Sequence, residues 1–348
     1  MDNQTLHIEM LDLIVAPCFC VKNGVIQERN QAARNLPLGE KIAPLLKTGQ
    51  EEYAAYTGGC LYLTLNIGGT VFGAAVQRVE DADLFLLEGP EENQELRALA
   101  LAAKDLRGPL SGILSTAQQL SESCTEAASQ QLSALNRGLA QLLRIVGNMS
   151  AASAGGFHPE LLEITGLFQE IFEKAGNLLG EIGLEVRYQG PEHRLYCLAD
   201  PQELDRAVLN LLSNGAKFTP KGGTITASLT RQGRMLRLCV QDTGSGIPDD
   251  IRGSVFRRYL RQPAIEDGRF GLGLGLVLVR ACASHHGGTV LIDHPPQGGT
   301  RVTMTIAIRQ DNTGTLRSPV LRVDYAGERD HGLIELSEVL PADCYKEL

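Results

Sequence analysis

The chain of 348 residues carries 41 acidic against 32 basic side chains, a formal charge of −9, which argues against sequence-independent nucleic-acid binding, where phosphates must be neutralised by a basic surface. Its length suffices for two or three domains, and no run of about 18 apolar residues suggests a membrane span. The eight cysteines (18, 20, 60, 124, 197, 239, 282 and 344) form no C-x-x-C pair, so neither a zinc site nor a disulfide framework is expected, and the thiols fit a reduced, cytoplasmic setting.

The start, MDNQTLHIEMLDLIV, places acidic residues before its apolar run and predicts no secretory leader. From Leu11 to about Glu88 short apolar runs alternate with turn residues. Lys22-Asn23-Gly24 and Gly68-Gly69 are hairpin signals. A small α+β unit with an antiparallel sheet is expected over 1–88, and His7, Cys18 and Cys20 are read as structural rather than ligating. The order of hairpin, Asn30 followed by Gln31-Ala32-Ala33-Arg34, helical middle and late paired strands resembles a PAS sensor domain.

Residues 89–153 change texture. Leu96, Leu99, Ala103, Leu106, Leu110, Ile113, Ala117 and Leu120 step by three and four, and after SESCTEAASQ the stepping resumes at Leu132, Leu135, Leu139, Leu142, Val146 and Met149. Two heptad helices with a short joint predict an antiparallel hairpin. A lone hairpin cannot cover both seams, so a homodimer through a four-helix bundle is expected. Pro109, after Gly108, should kink the first helix.

After a Gly/Ala/Ser hinge, 157–310 alternates helix and strand patterns as an α+β sandwich of mixed sheet and helices. Its centre is DPQELDRAVLNLLSNGAKFTPK. Leu204, Val208, Leu211 and Leu212 form a buried helical stripe; Asn210 and Asn214, four apart, share a different face with Lys217 one turn on. Two amide oxygens and a cation suit a magnesium polyphosphate, because magnesium takes hard oxygen ligands and keeps several waters. A polar surface helix is the alternative.

Asp242-Thr243-Gly244-Ser245-Gly246 follows a strand, where a carboxylate can accept from an exocyclic amine while glycines let the backbone approach. Gly271-Leu272-Gly273-Leu274-Gly275-Leu276 opens a helix whose N–H groups can cradle phosphate. With Phe256 and Gly298-Gly299-Thr300, these signatures in this order resemble the ATP-binding domain of sensor histidine kinases, within the GHKL ATPase family, over about residues 200–302.

The resemblance implies ATP and magnesium as ligands. It implies Asn214 on the metal, Asn210 beside it, Lys217 near the phosphates and Phe218 in the nucleotide site. Asp242 would take the adenine amine, with Gly244, Gly246 and Thr300 around it. Gly271, Gly273, Gly275 and Leu276 would form the phosphate side of a lid, and Arg261, with Arg269 as a further candidate, would meet the γ-phosphate. It assigns catalysis to Asn210 and Asp105. It also implies a response regulator or a partner histidine kinase as partner.

The pattern breaks where the family carries His-Glu-Leu-Arg-x-Pro-Leu. This chain has Lys104-Asp105-Leu106-Arg107-Gly108-Pro109-Leu110, so Lys104 stands at the phosphoacceptor position. An exposed, protonated amine has no lone pair to attack phosphorus. Gly215 stands where alanine is usual and Arg257 where an acidic residue is usual. The expected protein is a signalling homologue that transfers phosphate to a partner's histidine, with a non-catalytic ATP-gated switch, or a GHKL ATPase or serine-directed kinase, as alternatives. Residues 311–348 read as a C-terminal extension, with SPVLRVDY as a strand and LIELSEVL as a short helix packed on the sheet or on a partner.

Overall fold

A computed structural model describes residues 11–88, 90–122, 125–153, 157–248, 273–309 and 330–346. Strands β1 (Cys18–Lys22) and β2 (Val25–Arg29) pair through a turn at Asn23 and Gly24, φ 52° and 76°. Both central residues sit in the left-handed region that a two-residue hairpin demands. Helix α1 (Gln31–Arg34) starts at buried Asn30, whose Oδ1 accepts from Ala33 N at 2.9 Å and Cys18 N at 3.0 Å while its Nδ2 donates to the Ile14 and Ala16 carbonyls, each at 2.8 Å. The whole carboxamide is satisfied, tying the chain before β1 to the first helix. After α2 (Gln50–Ala54), β3 (Cys60–Ile67) turns at Gly68-Gly69 into β4 (Thr70–Val79), and β5 (Ala82–Leu87) completes the unit.

Helix α3 (Pro90–Glu122) runs through Pro109 and is followed by α4 (Glu126–Ser153). The heptad seam divides in two. Ala103, Leu110, Leu114, Ala117, Leu139, Leu143, Val146 and Met149 are buried together, whereas Leu106, Ile113 and Leu120 on α3 and Leu135 and Leu142 on α4 remain 46–52% exposed.

Then come β6 (Glu160–Glu163), α5 (Ile164–Gly180), β7 (Glu185–Gln189), β8 (Tyr196–Ala199), α6 (Pro201–Phe218), β9 (Thr224–Gln232), β10 (Met235–Asp242), α7 (Gly275–His285), β11 (Val290–Asp293), β12 (Arg301–Ala307) and α8 (His331–Glu335). Alternation along β9 and β10 sends Ile225, Ala227, Leu229, Leu236, Leu238 and Val240 inward against α5 and α6. Each fully buried Leu or Ile contributes about 1.5–3 kcal/mol. An α+β layer of mixed sheet and helices results, as the sequence pattern predicts. Strand β6 pairs with β8 in a separate two-stranded sheet.

Nothing in the sequence pattern announces the main long-range feature. The N-terminal strands and the later ones form one ten-stranded sheet, β2-β1-β5-β4-β3-β11-β12-β10-β9-β7. Its junction is antiparallel pairing of β3 with β11, Val290 opposite Tyr62 and Ile292 opposite Cys60. Arg280 of α7 bolts it: the guanidinium lies 5.2 Å from the Tyr62 ring centroid and Nη1 is 2.6 Å from Glu88 Oε1.

Segment 330–346, expected to hold a short helix packed on the sheet or on a partner, includes α8 and packs on α4, α5 and α6. The predicted strand SPVLRVDY, like His7, lies outside the described residues.

Candidate nucleotide site

Helix α6 begins where Asp200 Oδ1 accepts from Gln202 N at 3.0 Å and Glu203 N at 3.2 Å, with Pro201 at the first turn. This Asp-Pro start satisfies orphan amides and presets φ. Leu204, Val208, Leu211 and Leu212 are buried as the stripe predicts. Asn210, expected on an open face, is fully buried: Oδ1 accepts from Arg144 Nη2 of α4 at 3.2 Å and Nδ2 donates to Arg206 O at 2.9 Å. The face is covered because the hairpin and the C-terminal segment lie against it. Asn214 is half-buried, and Lys217 pairs with Glu338 of that segment. Burial first, and then the like charge of Arg144, hold the Lys217 ammonium below its usual range, against the pull of Glu338.

Asp242 ends β10 and is buried. Its Oδ1 accepts from Gly244 N at 2.8 Å and Thr300 N at 3.2 Å. Burial raises the carboxyl's pKa, opposed by these two N–H groups. The glycines around it are needed sterically. A Cβ on Gly244 would lie 2.5 Å from Phe218 O, and one on Gly299, at φ +80°, would lie 2.0 Å from Asp242 O. Ser245 N donates to Phe218 O at 3.3 Å, closing the end of α6 onto the Asp loop. Gly246 has φ +75° and faces His294. Phe218, Asp242, Gly244, Gly246 and Thr300 thus gather in one place.

Gly275 starts α7 against Asn210, whose Oδ1 would be 2.9 Å from a Cβ there. Gly273 is exposed with φ +70°, and Leu276 packs on the main core. Arg261, Arg269, Phe256 and Gly271 lie outside the described residues. Lys104 and Asp105 are exposed on α3, and no hydrogen bond or ion pair among the described residues joins them to α6. No such bond joins Asp105 to Asn210, the other residue implied in catalysis. Gly215, which stands where alanine is usual, sits where a Cβ would be 3.1 Å from Ile225 Cδ1 and 3.7 Å from Asp242 Cβ.

Sequence reasoning missed Arg144, Glu335, Glu338 and His286. The signal for Arg144 was a cation within the apolar run Leu142-Leu143-Arg144-Ile145-Val146. His286, fully enclosed, donates from Nδ1 to Cys282 O at 2.7 Å and accepts from Asp200 N at Nε2, 3.0 Å. It lies with Glu203 and Cys282 in a cluster with metal-ligand composition. The Asp200 N–H requires a bare Nε2, so the neutral ring keeps its proton on Nδ1 and offers no lone pair to a metal.

Burial lowers the His286 pKa, with Cys282 O opposing. Its contribution to stability is therefore held above the unfolded pKa near 6.5 and lost as pH falls. His285, raised by its hydrogen bond to Glu203, acts in the opposite sense. Comparing wild type with His286→Gln isolates the first: between about pH 7.5 and 5.5 wild type should lose more stability than the variant in urea titration, and an equal loss would contradict it. Separately, Gly299→Ala should cost about 3 kcal/mol or prevent folding, because the Asp242 carbonyl cannot retreat from the strand. A urea midpoint within error of wild type would contradict this.

The candidate site thus comprises a buried carboxylate at a strand end, glycine loops that let backbone close on it, and an amide-bearing helix alongside. Residues 199–310 match the family described as histidine kinase-, DNA gyrase B-, and HSP90-like ATPase. The chain is 28% identical over 226 residues to the adaptive-response sensory kinase SasA of Microcystis aeruginosa, covering 60% of this chain and 58% of that one. It is 30% identical over 237 residues to the signal transduction histidine-protein kinase/phosphatase MprB of Mycolicibacterium vanbaalenii, covering 64% and 48%. It thus spans about half to three-fifths of the length of these relatives. The crystal structure of full-length ShkA in complex with AMPPNP shares the fold over 65% of this chain and 48% of that one, with TM-score 0.51 and 24% identity. The chain carries a GHKL-type histidine-kinase ATPase domain homologous to those of sensor histidine kinases. Among the described residues no helix is long and apolar enough to cross a membrane.

Proposed function

We propose that this chain is an ATP-binding homologue of sensor histidine kinases in two-component signalling that lacks its own phosphoacceptor. Its units are a PAS-like input domain (1–88), a dimerisation hairpin (89–153), the ATP-binding domain (157–310) and a C-terminal extension (311–348). The observation that carries the nucleotide reading is Asp242: Oδ1 is fixed by the Gly244 and Thr300 amides, so Oδ2 serves to accept the adenine amine. The residues fit the nucleotide, because glycines at 244 and 299 let the backbone close on Asp242, where a Cβ would meet Phe218 O or Asp242 O, and the two amides so placed take up Oδ1 alone. Magnesium, when bound, screens charge between phosphate oxygens, and Asn214 supplies the amide oxygen for it. Asn210 lies beside Asn214, Lys217 and Arg261 meet phosphate, and Gly271, Gly273 and Gly275 give backbone N–H groups to it.

The N-terminal strand order β2-β1-β5-β4-β3 supports the PAS-like reading. The dimer is supported by the seven-residue spacing of exposed Leu106, Ile113 and Leu120, matched by Leu135 and Leu142. Such a stripe is half of a helical bundle awaiting its other half. Light scattering at micromolar concentration should give twice the chain mass, and Ile113→Asp should give a monomer; a monomeric wild type contradicts the dimer.

The phosphoryl group would go to a histidine on a partner kinase, with a response regulator downstream. A second reading, a non-catalytic ATP-gated switch, is favoured by exposed Lys104 and by the burial of Asn210 under Arg144. Calorimetric titration with Mg-ATP tests the shared core of both: wild type should bind and Asn214→Ala should bind only in the manner of metal-free nucleotide. Absence of binding by wild type would remove both readings.

A further inference from the structure

The C-terminal segment bridges the hairpin and the nucleotide domain. Asp330 caps α8 through Gly332 N at 2.7 Å, and His331 Nδ1 lies 2.9 Å from Asp205 Oδ2 of α6. Ile334 is fully buried in the cluster that joins Leu274 and Val277 to the hairpin. On the hairpin side Asn136 Nδ2 donates to Tyr345 O at 3.0 Å, and Arg137 Nε and Gln141 Nε2 donate to Ser337 O at 3.2 and 3.1 Å.

At the centre of this contact, Glu338 Oε2 lies 2.6 Å from Arg144 Nη1 and also pairs with Lys217 Nζ. Glu335 Oε2 accepts from Arg144 Nε at 3.2 Å, and Arg144 Nη2 reaches Asn210. All three charged side chains around Oε2 are enclosed, with exposures of 4% for Arg144, 9% for Glu338 and 11% for Lys217. One carboxylate oxygen shared by an ammonium and a guanidinium is the charge-assisted arrangement that also holds a phosphoryl oxygen.

We infer that segment 330–346 is an internal competitor for the phosphate end of the nucleotide site, with Glu338 standing on Lys217 and Arg144 where a phosphoryl oxygen would stand. The inference rests on the ATP-binding reading above. Ile334 contributes independently of charge. It packs with Leu274, between Gly273 and Gly275, so the same short helix restrains the glycine loop whose amides would turn to phosphate. Competition is reciprocal: docking of the segment weakens nucleotide binding, and nucleotide weakens docking by the same factor.

The test uses the full chain. Wild type, Glu338→Gln and Ile334→Ala are titrated calorimetrically with Mg-ATP, and deuterium exchange of residues 330–346 is followed with and without nucleotide. Both variants should bind at least about fivefold more tightly, a coupling at the low end of those measured between linked sites. Mg-ATP should speed exchange of 330–346 in wild type. Ile334→Ala leaves every charge in place, so it decides the matter if Glu338→Gln fails to fold. Wild-type binding with no gain in the folded variants overturns the inference and leaves the ATP reading standing. No binding by any of the three chains overturns both.

Discussion

Replacing Arg144 by alanine is expected to destabilise the chain by about 3–5 kcal/mol, because it takes a buried guanidinium away from two buried carboxylates. Glu335 is 1% exposed at its side chain and Glu338 9%, and Arg144 meets both. Burial alone would raise the Glu338 pKa, and Arg144 and then Lys217 hold it below the usual carboxylate range. That sign places this contribution to stability above the unfolded pKa near 4.5, with loss as pH falls through the folded value. Without the guanidinium, Glu335 Oε2 loses the hydrogen bond from Arg144 Nε and Asn210 Oδ1 loses the one from Arg144 Nη2. Arg144→Met should be almost as damaging, since methionine fills volume but pairs nothing. Combining Arg144→Met with Lys217→Met, Glu335→Met and Glu338→Met should recover much of the loss, since a well-packed apolar replacement of a whole buried ionic cluster is often neutral. Urea unfolding followed by circular dichroism reads all three; a loss below about 1 kcal/mol for Arg144→Ala would contradict the buried cluster.

The second large effect is expected at Asp242. Asp242→Asn should weaken Mg-ATP binding at least about 100-fold while leaving the chain folded. The reason is donor counting. Oδ1 already accepts from Gly244 N and Thr300 N, and the adenine amine requires a second acceptor on the same group. An asparagine has one carbonyl oxygen. Turned to the backbone, it presents N–H groups to the amine; turned to the amine, it presents them to two backbone N–H groups. Each orientation leaves a donor facing a donor in a buried place. Affinity within about threefold of wild type would show that Asp242 does not read the base.

The parts of this architecture that were legible in the sequence are those with short-range physical causes. Asn23-Gly24 and Gly68-Gly69 mark hairpins because only a few residues accept positive φ. Asp200-Pro201 marks the start of α6 because it supplies a cap and a preset φ. Asp242 and its glycines were legible because a strand followed by Gly-x-Gly permits few arrangements. What stayed hidden depends on distant partners. Whether Asn210 is open or covered is decided by Arg144, 66 residues away in the chain, and the heptad pattern shows Arg144 only as a cation in an apolar run. The β3–β11 pairing joins Leu61 to Leu291 through backbone groups that carry no side-chain signature. The seam of α3 and α4 was legible as a period, but its division into a buried half and an exposed half follows from crossing geometry.

In the proposed function, nucleotide binding and phosphoryl acceptance are separate. The α6 site retains Asp242, Asn214 and the glycine loops, while exposed α3 offers an amine at 104 in place of an imidazole. The most direct measurement is incubation of wild type and Lys104→His with γ-labelled ATP and magnesium, followed by acid treatment. Wild type should carry no label and Lys104→His an acid-labile one, as a lost acceptor beside an intact nucleotide site requires. Label on wild type itself, or none on a Lys104→His chain that binds Mg-ATP, would contradict it.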